Sequence, residues 1–181
     1  MSELQRFLPA DQDLLVSLFY RVGRWMSQVD DTDVGETSEK AEEAQMFKVL
    51  TKLSQSSNVG DLCQEICAEA LRQKGSWARW AGQMDTLIDD VGRGKKIILG
   101  EGTDEEFRLF GKSLVTIATS VARAYRESTD MESQEIGFLS WLTEKSSHVS
   151  LALSDREAHK DLNISPAEDN ALIELVQALK A

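Results

Sequence analysis

The chain has 181 residues, 41% of them hydrophobic, and carries 31 Asp and Glu against 20 Lys and Arg, a formal net charge of −11 at pH 7. That length suits one domain, residues 1–181, and that apolar share sustains a core, which excludes a disordered chain. The negative balance repels phosphate backbones and anionic lipid, so nucleic acid is not an expected partner.

Arg93, Lys95 and Lys96 form a local basic group, but Glu101, Asp104, Glu105 and Glu106 follow at once and largely cancel it at a distance. No basic, apolar and small-residue leader opens the chain, and no apolar run approaches the ~20 residues of a membrane helix. A cytoplasmic protein without a transmembrane segment is expected. Pro9 and Pro166 are the only prolines, leaving about 155 residues without a helix breaker. No Asn-Gly or Asp-Gly hairpin signal occurs and β-branched residues do not cluster in alternating runs, so the fold class expected is all-α.

The first helix is expected over about Asp11 to Ser27, where Leu14, Leu15, Leu18, Phe19, Val22, Trp25 and Met26 recur at three- and four-residue spacing. It runs into an acidic turn, Val29-Asp30-Asp31-Thr32-Asp33-Val34-Gly35-Glu36. Thr37 or Ser38 can cap a second helix with Glu39, Glu42 and Glu43 early in it, where carboxylates favour the dipole. Met46, Phe47, Val49, Leu50 and Leu53 supply its apolar side. After a polar link at Ser54 to Asn58, a third helix over about Val59 to Gln73 carries Leu62, Ile66, Ala70 and Leu71 beside Cys63 and Cys67. The two cysteines lie one turn apart on one face. They read as small core residues in a reducing compartment, the other possibility being half of a thiolate metal site.

Gly75-Ser76 breaks the third helix. Trp77, Trp80, Ala81, Met84, Leu87, Ile88 and Val91 keep helical spacing in a fourth, which is expected to end near Val91. Gly92-Arg93-Gly94-Lys95-Lys96 resembles a phosphate loop only in outline, since such a loop needs glycine where Asp89 stands and a preceding strand. It reads as a helix-to-helix connection. A fifth helix over about Asp104 to Arg126 carries Phe107, Phe110, Leu114, Ile117, Ala118, Val121, Ala122 and Tyr125. It too enters an acidic turn, Glu127-Ser128-Thr129-Asp130-Met131-Glu132, and a sixth helix with Glu135, Ile136, Phe138, Leu139 and Leu142 follows. Residues 146–163 read as irregular or short helix. Ser165-Pro166-Ala167-Glu168 is a cap, first-position proline and third-position acid. It opens a last helix with Leu172, Leu175, Val176 and Leu179 inward.

Val22-Gly23-Arg24-Trp25-Met26 lies over Val121-Ala122-Arg123-Ala124-Tyr125 at an offset of 99 residues, which also sets Asp31 on Asp130. Apolar helix, acidic turn and acid-started helix thus occur twice, as in a diverged repeat. This arrangement, together with the closing phrase Leu162-Asn163-Ile164-Ser165-Pro166-Ala167-Glu168 and its terminal helix, resembles the TerB-like tellurite-resistance family. The resemblance spans Leu14 to Leu179, with Asp30-Asp31 standing where that family carries Asp-Gly. It implies a single-domain bundle of about seven helices with pseudo-twofold helix–acidic turn–helix halves. It also implies a link to metal-stress responses and divalent-metal binding.

On the residues themselves, Asp30, Asp31, Asp33 and Glu36 from one turn and Asp130, Glu132 and Glu135 from the other offer oxygen ligands suited to calcium, magnesium or manganese. An EF-hand is excluded: a loop opening at Asp30 puts Gly35 correctly sixth, but Thr32, Val34 and Ala41 fill the third, fifth and twelfth positions. The same acids can instead serve as helix caps, with Arg24 and Arg123 as ion-pair partners one turn upstream and no cation bound. A second function class is a non-catalytic adaptor that docks an unidentified protein through Phe138 or Trp141. A third, an enzyme using paired carboxylates, lacks any nucleophile–histidine pairing, zinc helix or cofactor fingerprint, His148 and His159 being the only histidines. The sequence leaves the oligomeric state open.

Overall fold

The computed structural model describes residues 2–29, 36–124 and 166–181, the backbone alone for 36–42 and 123–124. These residues form seven α-helices and no strand: α1 Pro9–Val29, α2 Glu36–Ser54, α3 Gly60–Arg72, α4 Trp77–Ala81, α5 Leu87–Glu101, α6 Asp104–Ala124 and α7 Pro166–Lys180. Short 3-10 turns at Leu4–Arg6, Ser57–Val59 and Lys74–Ser76 lead into α1, α3 and α4. The fold is an all-α bundle. No helix among the described residues is long and apolar enough to cross a membrane.

The α1 stripe sits at the centre. Leu15, Leu18, Phe19 and Val22 are fully buried, and Met26 nearly so, in one contiguous core that receives residues from every α-helix. Helix α6 packs beside α1 and buries Leu114, Ile117, Ala118, Val121 and Ala122. The two run in the same sense. The Phe19 and Phe110 rings are 5.5 Å apart, a Cβ on Gly23 would stand 3.1 Å from Ile117, and Ser27 and Val121 line one cleft. Advancing along α1 therefore advances along α6. The remaining helices wrap this pair: α2 and α3 pack on each other and on both, while α5 and α7 cover the other side.

Two segments depart from the sequence expectation. The fourth helix is not continuous: α4 ends at Ala81 and α5 begins at Leu87. Gly82 stands at the C-cap of α4, and the carbonyl of Gln83 turns inward to accept from the Arg21 guanidinium. The supposed connection at Gly92 to Lys96 lies inside α5. Gly94 is required there by close packing, since a Cβ would meet Leu18 at 2.9 Å and Phe110 at 3.4 Å, whereas one on Gly92 would meet nothing within 4 Å.

Opposite effects follow from alanine at the two sites. Gly92→Ala should raise stability by about 0.5–1 kcal/mol through helix propensity. Gly94→Ala should lower it by about 1 kcal/mol as overpacking outweighs the same gain. Urea unfolding of both variants measures the difference in sign.

Smaller departures concern helix starts. α1 opens at Pro9, with Asp11 in its first turn, and α2 already at Glu36, ahead of the caps expected at Thr37 or Ser38. α6 opens on a reciprocal cap: Glu106 N–H donates to Thr103 Oγ1 at 3.2 Å, and Thr103 N–H donates to Glu106 Oε2 at 2.8 Å. This satisfies two otherwise unpaired donors. α7 begins with Pro166 as expected, and Leu172 and Leu175 are fully buried, with Val176 and Leu179 packed against the core edge.

The chain's start is tied down by Glu65 of α3. Its carboxylate accepts from the Ser2 hydroxyl at 2.6 Å and from the Glu3 and Leu4 amides at 3.0 and 2.9 Å. Burial pushes the Glu65 pKa up, but these hydrogen bonds outweigh it and hold the group below its usual 4.5. The clasp is thus complete above pH 4.5 and lost as pH falls through the lowered folded value. Amide exchange at Glu3 and Leu4 should accelerate on acidification across that window, and in Glu65→Ala should be fast at every pH.

Candidate functional site

Helix α1 carries two different polar features on adjacent faces. One faces the core. Arg21 falls within the apolar stripe and its side chain is 1% exposed. Its Nη1 donates to Asp90 Oδ2 at 2.9 Å, and its Nη2 donates to Thr86 Oγ1 at 3.1 Å and to the Gln83 carbonyl. Asp90 also accepts from Thr86 Oγ1 and from Arg93 Nη1, both at 2.8 Å. Burial raises the Asp90 pKa, but the hydrogen bonds from Thr86, Arg21 and Arg93 together bring it below its usual value. The carboxylate stays ionised and pins the 82–86 loop and α5 to α1. Neither Arg21 nor Asp90 stands out by composition; the signal was an arginine inside a buried stripe.

The other feature is a cleft of about 450 Å3. Tyr20, Gly23, Arg24 and Ser27 form its α1 wall, spaced to lie on one face. Glu43 and Met46 come from α2, Lys74 and Gly75 from the turn before α4, Trp77, Ala78 and Ala81 from α4, and Val121 from α6. The Tyr20 and Trp77 rings stack at 4.8 Å with 26° between planes, and Trp77 Nε1 donates to the Ala70 carbonyl at 2.9 Å. The indole is therefore fixed. Lys74 Nζ lies 2.9 Å from Glu43 Oε1, 5.6 Å from the Trp77 ring centroid and 5.7 Å from that of Phe47. Phe47, expected on the apolar side of its helix, is instead 46% exposed beside the cleft.

Cys63 and Cys67 are both buried in the core on one face of α3. Burial, and secondarily the charge of Glu106, push the Cys63 thiol up to about 12 against a hydrogen bond from Ser113, and burial raises Cys67 too. Neither is a thiolate near neutral pH, so neither is poised as a nucleophile. Trp77 and Trp80 are buried in the core, at 3% and 0% exposed.

Of the expected cation ligands, Glu36 is the first residue of α2, with its backbone alone described. Asp30, Asp31, Asp33, Asp130, Glu132 and Glu135 lie outside the described residues, as do Phe138, Trp141, His148 and His159. Among the described residues no group of three or more His, Cys, Asp or Glu side chains could hold a metal ion. No family model, curated protein or solved structure matches the chain.

Proposed function

We propose that the chain is a TerB-like helical module that binds a divalent cation, calcium, magnesium or manganese, in the service of a metal-stress response such as tellurite resistance. The ligands would be Asp30, Asp31, Asp33 and Glu36 after α1, with Asp130, Glu132 and Glu135 after α6. One observation supports this reading above others: α1 and α6, each 21 residues long, pack side by side in the same sense. Val29 and Ala124, the last residues of the two helices, therefore lie toward the same end of the bundle. Had the helices been antiparallel, the segments would have departed about 30 Å apart, the length of one such helix, beyond the reach of a shared ion. Carboxylates drawn from two segments suit a hard cation of flexible coordination. The repeat pairing makes Asp31 and Asp130 the central ligands.

Thermal melting with each cation tests the reading. A native-state site stabilises by about 2.7 kcal/mol at a hundredfold excess over Kd, which for a chain of this size shifts Tm by about 5–10 °C. An Asp31→Asn, Asp130→Asn double variant should lose most of that shift. No shift with any of the three ions, or an equal shift in the double variant, would refute the site. The adaptor reading, resting on Phe138 and Trp141, expects that null result together with a captured partner lost in Trp141→Ala.

A further inference from the structure

We infer that the buried Arg21–Asp90 pair is a conformational device, which selects one path for the 82–86 loop and adds little to the net stability of the fold. It does not depend on the cation reading.

Apolar packing cannot fix this loop. Gly82, Gln83, Asp85 and Thr86 are exposed and Met84 is only partly buried. The buried residues stand on either side, Trp77 and Trp80 in α4 and Leu87 and Val91 in α5. They hold the two helices and leave the path between them open to variation.

Arg21 supplies the directional contacts. Its Nη2 donates to the Gln83 carbonyl and to Thr86 Oγ1, while Nη1 holds Asp90. Thr86 Oγ1 closes the ring by donating to Asp90. In a continuous helix the Gln83 carbonyl would accept from the Leu87 amide. Here that amide donates to the Met84 carbonyl at 3.0 Å, and Arg21 takes the acceptor so released.

The same pair is a poor source of net stability. Both groups leave water on folding, with side chains 1% and 10% exposed, and that desolvation offsets most of their attraction. Arg21 Nε is buried too and finds no acceptor among the described residues, which is a further cost. Deleting one partner alone is a different matter, since it strands the other charge. Two apolar side chains in place of the pair would recover burial but, being non-directional, would accept many loop paths. A guanidinium, with its donors in a rigid fork, favours one.

Thermal melting and amide exchange of the full chain test this in the double variant Arg21→Met, Asp90→Leu. Melting should stay within about 4 °C of the wild type, because the desolvation cost goes together with the attraction. Exchange at Gln83 and Leu87, whose amides donate to the Trp80 and Met84 carbonyls, should accelerate about tenfold while amides at the centre of α1 keep wild-type rates. Thr86→Val, at an exposed position, retains the ion pair. It should accelerate the same two amides about threefold, with melting within about 2 °C of the wild type. A double variant that melts far below the wild type, or does not fold, would mean that the pair contributes net stability and would overturn the inference. Unchanged exchange at Gln83 and Leu87 in either variant would do the same.

Discussion

Asp90→Ala is expected to lower unfolding stability by about 3–5 kcal/mol, because it leaves a buried guanidinium without its counter-charge. Arg21 cannot turn to solvent: its side chain is 1% exposed and spans from α1 to the 82–86 loop. Arg21→Met should cost less, about 1–2 kcal/mol, since Asp90 keeps Thr86 and the half-exposed Arg93 and the methionine fills the space. Arg93→Ala, with a side chain 65% exposed, should cost under about 1 kcal/mol. Urea midpoints of the three variants give the order. The pH dependence has a fixed sign. Asp90's folded pKa lies below its usual 3.8, so its contribution is complete above that value and is lost as pH falls through the folded one. The gap between wild type and Asp90→Ala should therefore stay constant from about pH 7 to pH 5 and close only in strong acid. An effect of Asp90→Ala no larger than that of Arg93→Ala would mean that Arg21 is solvated and the pair is not a clasp.

What the sequence made legible divides by whether the signal is local. The α1 stripe, the helical identity of each long segment among the described residues, the core cysteines and the proline-led start of α7 all follow from periodicity and capping, and the structure has them. Where tertiary contacts decide, periodicity misled. Trp77, Trp80, Met84, Leu87 and Val91 stay in phase across the break after Ala81, so nothing in their spacing marks it. The Gln83 carbonyl turns toward Arg21, a partner 62 residues away. Conversely, two glycines near Lys95 mimic a linker, yet they are helical because Leu18 and Phe110 close on Gly94. Packing there overrides a propensity penalty of about 1 kcal/mol per glycine. The candidate site was legible only in part. The offset of 99 residues paired α1 with α6, whereas their side-by-side contact is a tertiary fact that no spacing in the sequence marks. The acids themselves lie outside the described residues. The Tyr20–Trp77 cleft had no sequence signature, since its walls are four short runs whose meeting depends on helix packing.

That parallel contact is itself testable. Phe110→Ala is expected to cost about 3–5 kcal/mol, the range for truncating a fully buried aromatic side chain. Phe110 has no exposed surface and lies where α1, α5 and α6 meet, 5.5 Å from the Phe19 ring and 3.4 Å from the position of a Cβ on Gly94. Phe19→Ala should cost a similar amount, being equally buried. The two losses should not add. Tilted rings at this separation interact by about 0.5–1.5 kcal/mol beyond their buried area, so the double variant should be less destabilised than the sum by about that much. Because either single loss approaches the whole stability of an ordinary domain, Phe19→Leu and Phe110→Leu provide a gentler cycle in which every species stays folded. Coupling of this size requires residue 19 of one helix to face residue 110 of the other. An antiparallel pair could keep that contact or the approach of Gly23 to Ile117, but not both. Strict additivity would therefore remove the side-by-side, same-sense pairing of α1 and α6, and with it the reason for expecting both acidic segments at one end of the bundle.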